Sequence, residues 1–187
     1  MEFTGRYPIQ AEPETVWRAL HDPEMLKDCI PGCESITRNG AQDFAAVVAL
    51  KIGPMKARFK GKVTLSEEHA PIRCKLAGEG EGGPAGFARG EALVELAPTE
   101  SGTELSYRAE AQVGGKLAQI GQRLIDGAAR QIADQFFARL SERLAPAEAS
   151  PPAAAAEETP AISGTTIWTI GLVAVALILI LMFTVVL

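Results

Sequence analysis

The chain has 187 residues, with 18 Lys and Arg against 23 Asp and Glu and a net charge of -5. That length allows one domain with its own core but not two, and the mildly acidic balance excludes a basic nucleic-acid binder. All 18 basic residues lie before Ala145, whereas Glu148, Glu157 and Glu158 lie after it, and neither part's charge total suggests a polybasic membrane patch.

Residues 2–10 alternate, with Phe3, Gly5, Tyr7 and Ile9 on one face, and predict a half-buried strand. Pro13 stands where a helix would begin, with Val16, Trp17 and Leu20 as its apolar stripe. Asp22-Pro23 is a second start signal, an N-cap followed by proline at the first helical position, and Pro31-Gly32 ends that short helix in a turn. Strands are predicted over 33–38, 43–52, 55–65, 72–80, 87–97 and 103–113. Gly53-Pro54 makes a hairpin, 82–86 a loop, and 99–102 a turn. After Gly114-Gly115 the apolar period changes from 2 to 3.6. Leu117, Ile120, Leu124, Ala128, Ile132, Phe136, Leu140 and Leu144, widened by Ile125, Ala129, Ala133 and Phe137 into a broad apolar face, predict one amphipathic helix of about 30 residues, stopped by Pro146. Strands followed by one long helix give an α+β class, a curved antiparallel sheet with the helix on one face.

Residues 146–165 are rich in Pro, Ala and acids and predict a disordered tether between a globular domain at 1–145 and the segment 166–187. Residues 167–187 carry no charge. As a helix they would cover about 30 Å, the thickness of a bilayer core, with Ile167, Trp168, Leu172, Leu177, Leu181, Phe183 and Leu187 facing lipid. MEFTGRYPIQ lacks the basic start and apolar run of a secretory signal. The expectation is a single-pass tail anchor in the inner membrane, with the domain in the cytoplasm.

Chemistry is sparse. Cys29, Cys33 and Cys74 are odd in number and fit a reducing compartment, and C-x3-C is not a zinc knuckle. His21 and His69 read as solvated loop residues, and no metalloprotease, P-loop or paired-carboxylate pattern exists. No catalytic or metal-binding residue is expected. On the sheet, inward positions are often small: Ala46, Ala57, Gly61, Gly78, Gly80, Ala88, Gly90, Ala92, Ala109 and Ala111. Either they let the long helix pack close, or they leave an apolar hollow lined by Phe44, Val48, Met55, Phe59, Leu76, Tyr107, Leu117, Ile120 and Leu124. Lys56, Arg58, Lys60 and Lys62 share the opposite face of their strand. They form either a solvated face or a docking strip for an acidic partner or anionic headgroups.

Five stretches in order resemble one family: MEFTGRYPI, residues 16–35 (VWRALHDPEMLKDCIPGCES), 53–63 (GPMKARFKGKV), 80–92 (GEGGPAGFARGEA) and 114–140. The chain resembles the CoxG family of carbon monoxide dehydrogenase proteins, within the START-like, Bet v1-like helix-grip superfamily known as SRPBCC. The resemblance implies a helix-grip sheet around a C-terminal helix. It implies a role that is not enzymatic, recruiting a molybdenum-containing dehydrogenase such as carbon monoxide dehydrogenase to the membrane. It further implies a quinone, menaquinone or ubiquinone, in the cavity. Two alternatives stand beside it, another lipid-binding protein or a cyclase- or hydratase-like enzyme. The enzyme would need ionisable groups pointing inward, where parity places little beyond Tyr7, Tyr107 and the thiols.

Overall fold

A computed structural model describes residues 1–145. The tether expected at 146–165 and the span expected at 166–187 lie outside the described residues. Among the described residues no helix is long and apolar enough to cross a membrane.

The order is β1 (Glu2–Ile9), α1 (Pro13–Ala19), α2 (Pro23–Cys29), β2 (Cys33–Arg38), β3 (Asp43–Ile52), β4 (Met55–His69), β5 (Arg73–Glu81), β6 (Phe87–Thr99), β7 (Gly102–Gly114) and α3 (Gln122–Leu144). The seven strands form one antiparallel sheet in the order β1-β7-β6-β5-β4-β3-β2. Strands β2 to β7 are a meander of hairpins. Strand β1 reaches the far edge and pairs with β7, Glu2 opposite Glu110 and Ile9 opposite Thr103. The alternation read from the sequence is the burial pattern observed: Phe44, Ala46, Val48, Leu50 and Ile52 are all buried on β3. The Asp22 carboxylate caps α2, accepting from the Glu24 N–H at 3.0 Å, with Pro23 in the first turn. Strand β4 runs four residues past the predicted end, through a bulge between Ser66 and His69.

The predicted 30-residue helix is broken. Residues 117–120 make a single 3-10 turn, Gly121 sits at φ 93 and ψ 139, and α3 begins only at Gln122. Glycine reaches that conformation at little cost, so the helix restarts in a new direction there. The stripe that α3 buries is Ile125, Ala129, Ile132, Ala133, Phe136, Phe137 and Leu140, all within the broad apolar face expected, whereas Leu124 is exposed and Ala128 and Leu144 are only half-buried. The rings of Phe137 and Tyr7 stack at 4.0 Å, and Phe136 meets Phe137 edge-on at 5.0 Å. At the other end of α3, Arg143 pairs with the Asp28 carboxylate at 2.6 Å and fixes α3 to α2.

Candidate functional site

The inner face of the sheet is built on two rungs with almost no side chains. Register places Ala46, Gly61, Gly80 and Ala88 side by side, and next to them Gly78, Gly90 and Ala111. Phe44, Val48, Phe59, Leu76, Tyr107 and Leu117, six of the nine residues expected to line a hollow, are buried beneath α3. Met55 and Ile120 are half-buried at the end of the sheet where the β3–β4 hairpin meets the turn before α3. Leu124 does not line the interior. It is 52 % exposed because the break at Gly121 turns it outward.

The same end is closed by loops that need glycine. The Phe59 ring lies directly over Gly82, and Phe87 covers Gly114. Gly86, at φ 125, packs backbone to backbone on Gly114 and Gly115. The interior they close is apolar. Its polar groups stand at one flank, where the Tyr7 hydroxyl donates to the Asp134 carboxylate at 2.8 Å and the Tyr7 and Tyr107 rings stack at 6.4 Å. Burial raises both phenols, Tyr107 to about 12.

An open depression lies elsewhere, on the outer face of the sheet. It measures about 1190 Å³ and is lined mainly by polar side chains, among them Lys62, Lys75, Arg89, Glu91, Arg108 and Glu110. Lys75 pairs with Glu91 at 2.7 Å, and Arg89 donates twice to the Gln112 side-chain oxygen. This is a solvated saddle of mixed charge rather than an apolar chamber.

The basic row on β4 is exposed but mostly answered. Arg58 pairs with Glu34 at 2.9 Å, and Lys60 and Lys62 stand opposite Glu81 and Glu79 on β5. Lys56 instead faces Lys51 across the hairpin. Among the described residues only Arg58 of this row forms an ion pair, and Lys56 is the one whose register partner is another cation.

His21 is the position where a solvated loop residue was expected and a buried one is found, at 9 % exposure. It sits at the elbow between α1 and α2 beneath the Trp17 ring. Its Nδ1 is 2.6 Å from the Trp17 carbonyl oxygen, which can only accept, so Nδ1 carries the proton. Nε2 has no hydrogen-bond partner and lies 3.9 Å from a Glu68 oxygen. Burial, with Arg38 nearby, pushes the imidazole down to about 2. A histidine held neutral in the fold and titrating near 6.5 when unfolded stabilises fully above pH 6.5, and loses that contribution as pH falls below it. Urea unfolding should therefore show about 2 kcal/mol less stability at pH 5 than at pH 7 from this residue. His21→Gln should flatten that difference; an unchanged slope would assign it to other groups. Cys29 and Cys74 are buried free thiols, and burial raises both, Cys29 to about 11. Among the described residues no cluster of three metal-ligating side chains exists.

A curved seven-stranded antiparallel sheet closed on a C-terminal helix, with an apolar inner face, defines the START-like helix-grip class. Within it, the chain belongs to the CoxG family, the G component of carbon monoxide dehydrogenase, whose model matches residues 5–145. A conserved protein from Geobacillus kaustophilus is 33 % identical, covers 78 % of this chain and 95 % of its own, and superposes with a TM-score of 0.73. A START superfamily protein from Mycobacterium smegmatis shares the fold at 12 % identity and TM-score 0.59, over 76 % of this chain and 96 % of its own. A protein from Rhizobium leguminosarum does so at 15 % and 0.60, over 77 % and 93 %. No curated protein matches the chain.

Proposed function

We infer that this protein is a membrane-tethered carrier and adaptor. Its helix-grip domain holds a quinone-like apolar molecule between sheet and helix, and it recruits a molybdenum-containing dehydrogenase, of the kind that names its family, to the cytoplasmic face of the membrane. The protein would carry and tether without a catalytic step of its own.

The observation that carries this is the pair of glycine and alanine rungs beneath α3. They make the inner face apolar and nearly smooth. A flat hydrophobic ring could be received there by moving the Phe44 and Phe59 side chains, with no buried charge to desolvate. The uncharged run at 167–187 supplies the membrane half of the reading.

The test compares the full chain with one ending at residue 165. The full chain should sediment with membranes, and the shortened one should not. Solvent extraction of the shortened, purified domain should still release menaquinone or ubiquinone in near-equimolar amount, seen by mass spectrometry, and the domain should still retain the dehydrogenase in a pull-down. An extract free of any isoprenoid quinone would remove the carrier role. Unchanged sedimentation on truncation would remove the anchor.

A further inference from the structure

We propose that the loop end of the domain is a docking surface for a bilayer carrying anionic headgroups, so that the chain rests on its membrane with the β3–β4 hairpin and the start of α3 facing the lipid. This rests on the tether reading above and adds an orientation to it.

Two segments that meet at this end carry the surface. A Cβ placed on Gly53, at the hairpin tip, would lie 3.9 Å from Leu124 Cδ1. Around that contact Pro54 and Leu124 are exposed, and Met55 and Ile120 half-buried. Residues 51–58 and 115–125 together hold five basic residues and no acid. Arg58 is paired with Glu34. Lys51, Lys56, Lys116 and Arg123 are exposed and make no ion pair among the described residues. Apolar tips ringed by cations match the headgroup boundary of an anionic bilayer, where each basic residue raises partitioning about fivefold.

Chain length permits this orientation. From Leu124 to Leu144 the helix runs about 30 Å away from the docking end. The 22 residues between Leu144 and the uncharged run extend to at most about 75 Å. They can return along the flank of the domain and still reach the bilayer. A link cut to six residues, about 20 Å long, could not.

The full chain is reconstituted with vesicles of phosphatidylcholine alone or with about 30 % phosphatidylglycerol, both containing brominated acyl chains. Leu124→Trp reports the docking end and Ile72→Trp, 60 % exposed on the β4–β5 turn, serves as control. Difference emission is taken against the unaltered chain. In anionic vesicles Leu124→Trp should be quenched about threefold more than Ile72→Trp, and Lys51→Glu with Lys56→Glu, or the six-residue link, should abolish the excess. A chain that floats with the vesicles but shows equal quenching at both sites overturns the docking surface and leaves the anchor standing. Excess quenching that survives the charge reversals overturns it as well. A chain that floats with neither vesicle overturns both readings. Equal quenching in vesicles, together with loss of dehydrogenase retention in the charge-reversed chain, would reassign the surface to an acidic protein partner.

Discussion

Phe137→Ala should lower the unfolding free energy by about 4 kcal/mol, a large share of the roughly 5–15 kcal/mol that a domain of this kind possesses. Phe137 is 1 % exposed. Its ring stacks on Tyr7 at 4.0 Å and on Tyr107 at 6.2 Å, and meets Phe136 edge-on. Removing it leaves a cavity and also ends ring contacts worth about 1 kcal/mol each. The loss should be local as well as global, because this stack and the nearby bond from Tyr7 to Asp134 are what tie α3 to the β1 edge. Urea unfolding measures the first effect, and amide exchange along residues 130–140 the second. Leu124→Ala is the contrast, with an expected change within about 0.5 kcal/mol, since that side chain is exposed. If the two substitutions cost the same, the stripe assigned to the core is wrong.

Gly86→Ala should cost more than about 3 kcal/mol, and Gly83→Ala only about 1. The two glycines are three residues apart and both have positive φ, 125 for Gly86 and 58 for Gly83. They differ in kind. Gly83, at φ 58, has nothing within 4 Å of a Cβ, so alanine there meets only the intrinsic strain of a positive φ. Gly86 has ψ -153, a region that glycine alone occupies, and its Cβ would fall on the Gly114 carbonyl, which is backbone and cannot step aside. Thermal unfolding of the two variants decides the matter. Equal losses would mean that the approach of residues 82–86 to Gly114 and Gly115 is not needed for the fold.

Strand positions and the α+β class are legible in the sequence because period-2 alternation is a local signal. Pro13 and Asp22-Pro23 mark α1 and α2 for the same reason, since caps act within a few residues. The helix break is not legible. Leu117, Ile120 and Leu124 keep helical spacing straight through Gly121, and a 3-10 turn places apolar residues at nearly the same intervals. The buried face itself is legible, because the paired apolar residues Ile132-Ala133 and Phe136-Phe137, with Ile125, Ala129 and Leu140, are the ones that α3 buries. His21 escapes a local reading because its burial comes from Trp17 and from the distant bulge of β4 that carries Glu68, and no short-range pattern reports such contacts. The basic row on β4 is visible as a row, but its partners sit on β2 and β5, so only register shows which cations are answered.

The pairing of β1 with β7 also constrains how the chain reaches this state. The remaining sheet contacts are hairpins between neighbours in sequence, which close quickly. β1 must wait for a partner about a hundred residues later, Glu2 meeting Glu110. On a growing chain, β1 leaves the ribosome first, yet its edge stays bare until Gly102–Gly114 has been made. The residues that follow it almost at once, in α3, cover the sheet's inner face. Closure of the sheet and its coverage by α3 are therefore late events that come close together, and any agent that shields an exposed strand edge during synthesis would act on β1.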